Sequence, residues 1–171
     1  SPFGSWGLLR AVFDPHVGEM IYDDSIWTWL FDVCTNTWTR VAQDDGGGSH
    51  GWIGALVYDS DSEAAVSFGV DDVRVLDRGT GIWIASAYPD TDSGVPLATS
   101  VGDLRISGAV YDPVSGLIIV QVDYEPLLWA YDVDTDTWTE VGRIPETLAS
   151  EAFALLGYSR PLDRLIVTTP G

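Results

Sequence analysis

The octapeptide Tyr131-Asp132-Val133-Asp134-Thr135-Asp136-Thr137-Trp138 decides the fold, because variants of it occur three times in 171 residues. The earlier copies are Phe31-Asp32-Val33-Cys34-Thr35-Asn36-Thr37-Trp38 and Leu76-Asp77-Arg78-Gly79-Thr80-Gly81-Ile82-Trp83, each with its Asp six residues before its Trp. A second phrase precedes each copy: Ala11-Val12-Phe13-Asp14-Pro15, Leu56-Val57-Tyr58-Asp59-Ser60 and Ala109-Val110-Tyr111-Asp112-Pro113. Leu156-Gly157-Tyr158-Ser159-Arg160 is a fourth, worn version. The leading Asp residues of the two phrases are 18, 18 and 20 residues apart, and the first-phrase aromatics recur at intervals of 45, 53 and 47. Periods of about 40 to 50 residues belong to the four-stranded blades of β-propellers. Helical repeats of that length would need sustained 3.6-residue periodicity, and no stretch shows it.

Each unit divides into strands at its turn signals. In unit three these are residues 108–111, 117–122, 127–133 and 137–141, punctuated by Asp-Pro-x-x-Gly and Asp-x-Asp-Thr. The expected fold is all-β, with blades of four antiparallel strands and about three and a half blades in the chain. The whole of 1–171 is expected to form one propeller segment, with blades at about 7–43, 51–88 and 104–142 and a half blade at about 152–169. The recurring Tyr, Phe and Trp would fill the wedges between stacked blades. The first-phrase Asp would head a tight turn and accept its backbone N–H groups, with Pro15 or Pro113 presetting φ. Closed propellers have at least about four blades, so a shortfall leaves open edges that invite another chain. The expectation is a segment of a longer propeller, or a ring completed by self-association or by a protein partner. The start at Ser1, with neither an initiator Met nor a basic-then-apolar leader, reads as a processed product or a piece of something longer.

With its aromatic-Asp-Pro hairpins and Tyr131 to Trp138, the chain resembles the kelch-like branch of β-propellers, in a bacterial and degenerate form. The family's diglycine after the second strand is absent: those places read Met20-Ile21-Tyr22-Asp23, Ser67-Phe68-Gly69-Val70 and Val120-Gln121-Val122-Asp123. The resemblance implies the propeller fold.

Composition narrows the partners. Hydrophobic residues make up 46% and aromatics 12%, so the chain folds despite a net charge of −18. Twenty Asp and six Glu face eight scattered Arg and no Lys, which disfavours tracking a phosphate backbone or adsorbing to anionic membranes. No apolar run approaches the roughly 20 residues of a membrane span. Cys34, the sole cysteine, excludes an intrachain disulfide and a cysteine-based metal cage. The acidic, Lys-free composition fits a GC-rich genome, a salty habitat or an extracellular life; of the possible settings, an extracellular or cell-surface one is favoured.

Candidate contacts lie on the irregular loops at 23–25, 43–50, 69–72, 88–102, 123–126 and 143–150, since a rigid scaffold places function there. Asp90 and Asp92 occupy the longest of them, and Tyr124 and Glu125 another. Trp6, His50, Trp52, Arg105 and Glu151 open the innermost strands at the mouth of the channel, where a Trp beside polar groups stacks on a sugar or grips a peptide. The packing alternative, with Trp6 and Trp52 plugging the channel, takes precedence. No cofactor is expected beyond a weak Ca²⁺ on Asp44, Asp45, Asp71 and Asp72. Asp132-x-Asp134-x-Asp136 imitates an EF-hand opening, but Thr137 stands where Gly is needed and Arg143 where the bidentate Glu is needed. Gly46-Gly47-Gly48-Ser49 lacks the Lys and helix of a phosphate loop. Neither His16 nor His50 carries a Ser-His-Asp context, and Cys34 in an outer hairpin has no partner for the Tyr–Cys crosslink of kelch-like copper radical oxidases. Paired carboxylates leave glycosidic chemistry open. The balance is against an enzyme. The expected function is a non-catalytic protein-interaction or structural module within a larger or oligomeric assembly. The alternative is a carbohydrate-binding module or a fragment of a secreted carbohydrate-active enzyme.

Overall fold

Seven hairpins whose four-residue loops lie wholly among the described residues set the architecture of the computed structural model. Their closing pairs are Asp14↔Glu19, Asp32↔Thr37, Asp59↔Ala64, Asp77↔Ile82, Asp112↔Leu117, Asp132↔Thr137 and Ser159↔Arg164. The last loop residue is left-handed every time: Gly18, Asn36, Glu63, Gly81, Gly116, Asp136 and Asp163, with φ between 50° and 75°. Six of the seven loops are headed by Asp, and in each of these its carboxylate accepts a backbone N–H two residues on, as from His16 to Asp14 at 2.8 Å and from Gly79 to Asp77 at 2.8 Å. The Asp thus shapes a short turn that reverses the chain without a helix.

The structure describes residues 10–23, 27–41, 54–69, 73–86, 106–122, 125–149 and 155–168. Strands β1 (Arg10–Asp14), β2 (Glu19–Asp23), β3 (Thr28–Asp32) and β4 (Thr37–Arg40) form blade 1. β5 (Ala55–Asp59), β6 (Ala64–Phe68), β7 (Val73–Asp77) and β8 (Ile82–Ser86) form blade 2. β9 (Ile106–Asp112), β10 (Leu117–Val122), β11 (Leu127–Asp132) and β12 (Thr137–Arg143) form blade 3. β13 (Leu155–Ser159) and β14 (Arg164–Thr168) pair as a separate hairpin. Every pairing within these sheets is antiparallel and joins sequence neighbours. The chain is therefore all-β, three four-stranded blades and half of a fourth.

Burial follows position in the stack. β6, the second strand of the middle blade, is buried along its whole length, whereas β4, the outer strand of blade 1, is exposed throughout. The first strands β1, β5, β9 and β13 lie side by side in that order, so they are the inner ones. Between blades 1 and 2 sits a core of Ile21, Val41, Tyr58, Ala65, Leu76 and Trp83. Between blades 2 and 3 sits a larger one that includes Val66, Phe68, Ile118, Val120 and Tyr131. Phe68 meets the rings of Tyr131 and Trp138 edge-on, each at 5.9 Å, a favoured aromatic geometry.

Three sequence expectations change. Phe13 and Trp38, expected in a wedge, are exposed, because among the described residues no blade stands against their face of blade 1. The stretch 143–150, expected as loop, carries the end of β12 and a short helix, α1 (Glu146–Ala149), started by Pro145, whose carbonyl accepts the Leu148 N–H. Pro supplies the helical φ at such a start. In the first strand of unit three, pairing extends from Ile106 to Asp112, beyond the expected 108–111, because Val122 reaches Ile106 across a register shift.

Candidate binding groove on the inner strands

The inner strands bring the first-phrase aromatics together along one concavity. An open groove of about 410 Å³ is floored by β1, β5, β9 and β13. Val12, Leu56, Val57, Ala109 and Val110 supply its apolar surface, and Tyr58, Tyr111, Tyr158, Pro113 and Arg160 its rim. The three tyrosines occupy one repeat position, immediately before the turn-heading residue, so the strand register delivers one phenol per unit.

Each phenol reaches towards carboxylates at the hairpin turns. The Tyr58 hydroxyl lies beside the Asp14 carboxylate of blade 1 without hydrogen-bond geometry, and burial followed by that carboxylate holds the phenol well above its ordinary range. Tyr111 is pushed up to about 12 by burial and then, against a lowering contact from Ser60, by Asp61 and Asp59 of blade 2. Tyr158 donates to Asp163 of its own hairpin and is pushed up to about 12 by that bond first. Raised phenols are protonated at neutral pH; the Tyr58 and Tyr111 hydroxyls are buried and that of Tyr158 is engaged by Asp163, so what the phenols offer the groove is ring surface. Arg160 brings the one positive charge among the lining residues.

The turns behind the groove are tied across the blades. Arg78 pairs with the buried Asp14 at 2.5 Å and with Glu19 at 2.9 Å, joining the β7–β8 turn to the β1–β2 turn. Ser62 donates to Asp134 at 3.0 Å and to Asp59 at 3.1 Å, joining blades 2 and 3 in the same way. Farther out, Ser86 and Tyr131 lie 2.5 Å apart and both donate to Asp136, at 2.6 and 2.8 Å. The Asp132-x-Asp134-x-Asp136 run thus turns its three carboxylates to three partners: Asp132 to its own turn, Asp134 to Ser62, Asp136 to Tyr131 and Ser86. Among the described residues no group of three His, Cys, Asp or Glu side chains has the geometry to hold a metal ion.

Of the residues singled out from sequence, Glu125 is described; it is exposed just after β10, its N–H bonded to the Val122 carbonyl. Trp6, His50, Trp52, Asp90, Asp92, Arg105, Tyr124 and Glu151 lie outside the described residues, as do Asp44, Asp45, Asp71 and Asp72 and the loops at 43–50 and 88–102. The sequence reading assigned Tyr58, Tyr111 and Tyr158 to packing and gave Arg160 no role. Their shared repeat position was the available signal, since equal positions on neighbouring inner strands fall beside one another.

No protein-family model and no curated protein matches the chain. Solved structures do. The extracellular domain of a hybrid two-component system from B. thetaiotaomicron superposes with a TM-score of 0.66 at 10% identity, over 94% of this chain and 19% of that one. An auxiliary nutrient binding protein from Bacteroides thetaiotaomicron gives 0.66 at 13% identity, over 95% of this chain and 36% of that one. The hydrazine synthase of Kuenenia stuttgartiensis gives 0.65 at 15% identity, over 94% and 41%. The chain spans between about a fifth and two fifths of the length of these proteins, and identities this low speak to the fold alone. By its hairpins, its blade order and these superpositions, the chain has the fold of a β-propeller segment.

Proposed function

We propose that the chain is a kelch-like propeller segment, with blades at about 7–43, 51–88 and 104–142 and a half blade at about 152–169, that binds a protein partner without catalysis. The observation that carries this reading is the groove: an apolar floor with aromatic ring surface and one guanidinium at the rim. Such a lining orients a ligand by contact area and hydrogen bonds. It offers no base or activated nucleophile. The kelch-like reading draws on the regular Asp-headed hairpins and the constant Asp-to-Trp spacing. The extracellular or surface setting draws on the acidic, Lys-free composition and on the likeness to the extracellular domain of a two-component system and to a nutrient binding protein. From sequence alone, Asp90, Asp92, Tyr124, Glu125 and Glu151, with Trp6, His50, Trp52 and Arg105, are the proposed further contacts, and Asp44, Asp45, Asp71 and Asp72 the proposed ligands of a weak calcium site.

A second reading, carbohydrate recognition, is favoured by the three tyrosines at one repeat position, since aromatic faces stack on sugar rings. Peptide and glycan arrays probed with the purified chain, beside a hydrolysis screen, separate these readings. Peptide hits lost on Tyr111→Ala and Arg160→Ala are the expected result. Glycan hits lost on the same changes would replace it with the second reading, and turnover lost on those changes would make the chain an enzyme.

A further inference from the structure

The four inner hairpins around the groove share one geometry and differ in charge. From turn head to closing residue, with His neutral, residues 14–19 carry −2, 59–64 carry −3 and 112–117 carry −1, whereas 159–164 carry +1. Three replacements bring the change. Ser159 stands where the other hairpins have Asp14, Asp59 and Asp112, Arg160 where they have Pro15, Ser60 and Pro113, and Arg164 where they have Glu19, Ala64 and Leu117. The one acid of this hairpin, Asp163, is occupied by the Tyr158 hydroxyl. Residues that break a local pattern do so for packing or for function, and both guanidiniums are exposed, so packing does not account for them.

The carboxylates at the other inner turns already have partners. Asp14 holds Arg78 and the His16 N–H, Asp59 the Asp61 N–H and the Ser62 hydroxyl, and Asp112 the Val114 N–H and the Ser115 hydroxyl. Among the described residues no carboxylate forms an ion pair with Arg160 or Arg164. Of the two, Arg160 lines the groove, where Tyr158, Pro113 and Val110 are apolar neighbours in the same lining. The apolar surface continues onto the turns: Val114 and Leu162 are 70% and 64% exposed, and the side-by-side strands β9 and β13 set their two turns next to each other.

Charge and size together specify an occupant. An unpaired guanidinium attracts an anionic group to this one corner, while the acidic turns around the rest of the groove repel a second negative charge. A volume of about 410 Å³ lies low in the range of ligand pockets and suits a few residues. The ligand is thus an apolar body with a single carboxylate at one end. The last residue of a peptide has that form, because its α-carboxylate and its apolar side chain leave the same carbon, one towards Arg160 and the other towards Tyr158 or Pro113. An internal Asp or Glu commits its side chain to the guanidinium and leaves the apolar wall uncovered. We propose, resting on the groove reading above, that the groove takes the C-terminal end of a partner polypeptide whose last residues are apolar, with the terminal carboxylate on Arg160.

The probes are N-acetylated tetrapeptides of Leu, Val and Phe, each made as the free acid and as the C-terminal amide, and titrated calorimetrically into the full chain. The acid is expected to bind on the order of tenfold more tightly than the amide, the low end for a hydrogen bond to a charged group, since Arg160 is exposed. Arg160→Ala should abolish that difference by weakening the acid alone, Arg160→Lys should keep part of it, and Tyr111→Ala should weaken both forms. Raising NaCl from ~0.15 M to ~0.5 M should narrow it, because the rim is open to water. Equal binding of acid and amide, an acid preference that survives Arg160→Ala, or equal binding of a doubly blocked peptide with an internal Glu overturns the proposal. Equal binding that is lost on Tyr111→Ala leaves the groove reading standing while this one fails, and binding of no peptide, here or on the arrays, overturns both.

Discussion

Gly18 stands at φ 75° with nothing within 4 Å of where a Cβ would be, so Gly18→Ala probes backbone conformation alone. Left-handed backbone costs an L residue about 1 kcal/mol, and chemical denaturation should show a loss of that size. Gly142 also has open space around it but no positive φ, and Gly142→Ala should be neutral or slightly stabilising through the unfolded chain. Equal losses at the two positions would contradict the turn geometry. At this scale the sequence was informative: Asp before a four-residue loop predicts a carboxylate accepting the N–H two residues on, and all six Asp-headed loops among the described residues do so. It was silent on Glu63, Asp136 and Asp163, non-glycine residues held left-handed because strand pairing on both sides leaves the loop one closure.

Blade interfaces are where element-level changes should act. A Cβ on Gly54 would lie 2.3 Å from the Ile106 carbonyl oxygen, which belongs to β9 of the next blade. Backbone cannot yield there without separating β5 from β9, so Gly54→Ala should cost several kcal/mol, about 3 by analogy with overpacked cores, read as a lowered denaturation midpoint. Arg78→Ala leaves Asp14 buried without its cation; since the guanidinium is partly exposed, the loss should fall near the low end for broken buried pairs, about 3 kcal/mol. Arg78→Ala with Asp14→Asn should recover much of it, and additive losses would mean that the pair is not coupled. The strand content of the blades was legible from alternation and turn spacing. Partner choice was not: whether a latch is Arg78–Asp14, Ser62–Asp134 or Ser86–Asp136 depends on which turns stand opposite, 50 to 72 residues apart in the two Ser latches.

For the molecule as a whole, tyrosine ionisation should set the alkaline limit. In the unfolded chain phenols ionise near pH 10. In the folded chain burial and neighbouring carboxylates push Tyr111 up to about 12 and raise Tyr58 and Tyr131 as well. Between those values the unfolded state has lost protons that the folded state keeps, so stability is fully present below about pH 10 and falls as pH rises above it. Tyrosinate absorbance should therefore rise in two steps, the second coinciding with loss of the far-ultraviolet strand signal; a single step near pH 10 with the fold intact would contradict the burial. At the acid end Asp32 and Asp77, held below the ordinary carboxylate range first by hydrogen bonds from the Thr35 and Thr80 hydroxyls, contribute stability that disappears as pH falls below about 4. By itself the sequence determined the all-β class, the four-strand unit and the Asp-headed turns, because repeat spacing and strand alternation are local properties written in consecutive residues. Only the tertiary structure decided that Tyr58, Tyr111 and Tyr158 line one groove, that Arg78 answers Asp14, and that Phe13 and Trp38 lie exposed on the face of blade 1, because those facts depend on which blade stands beside which.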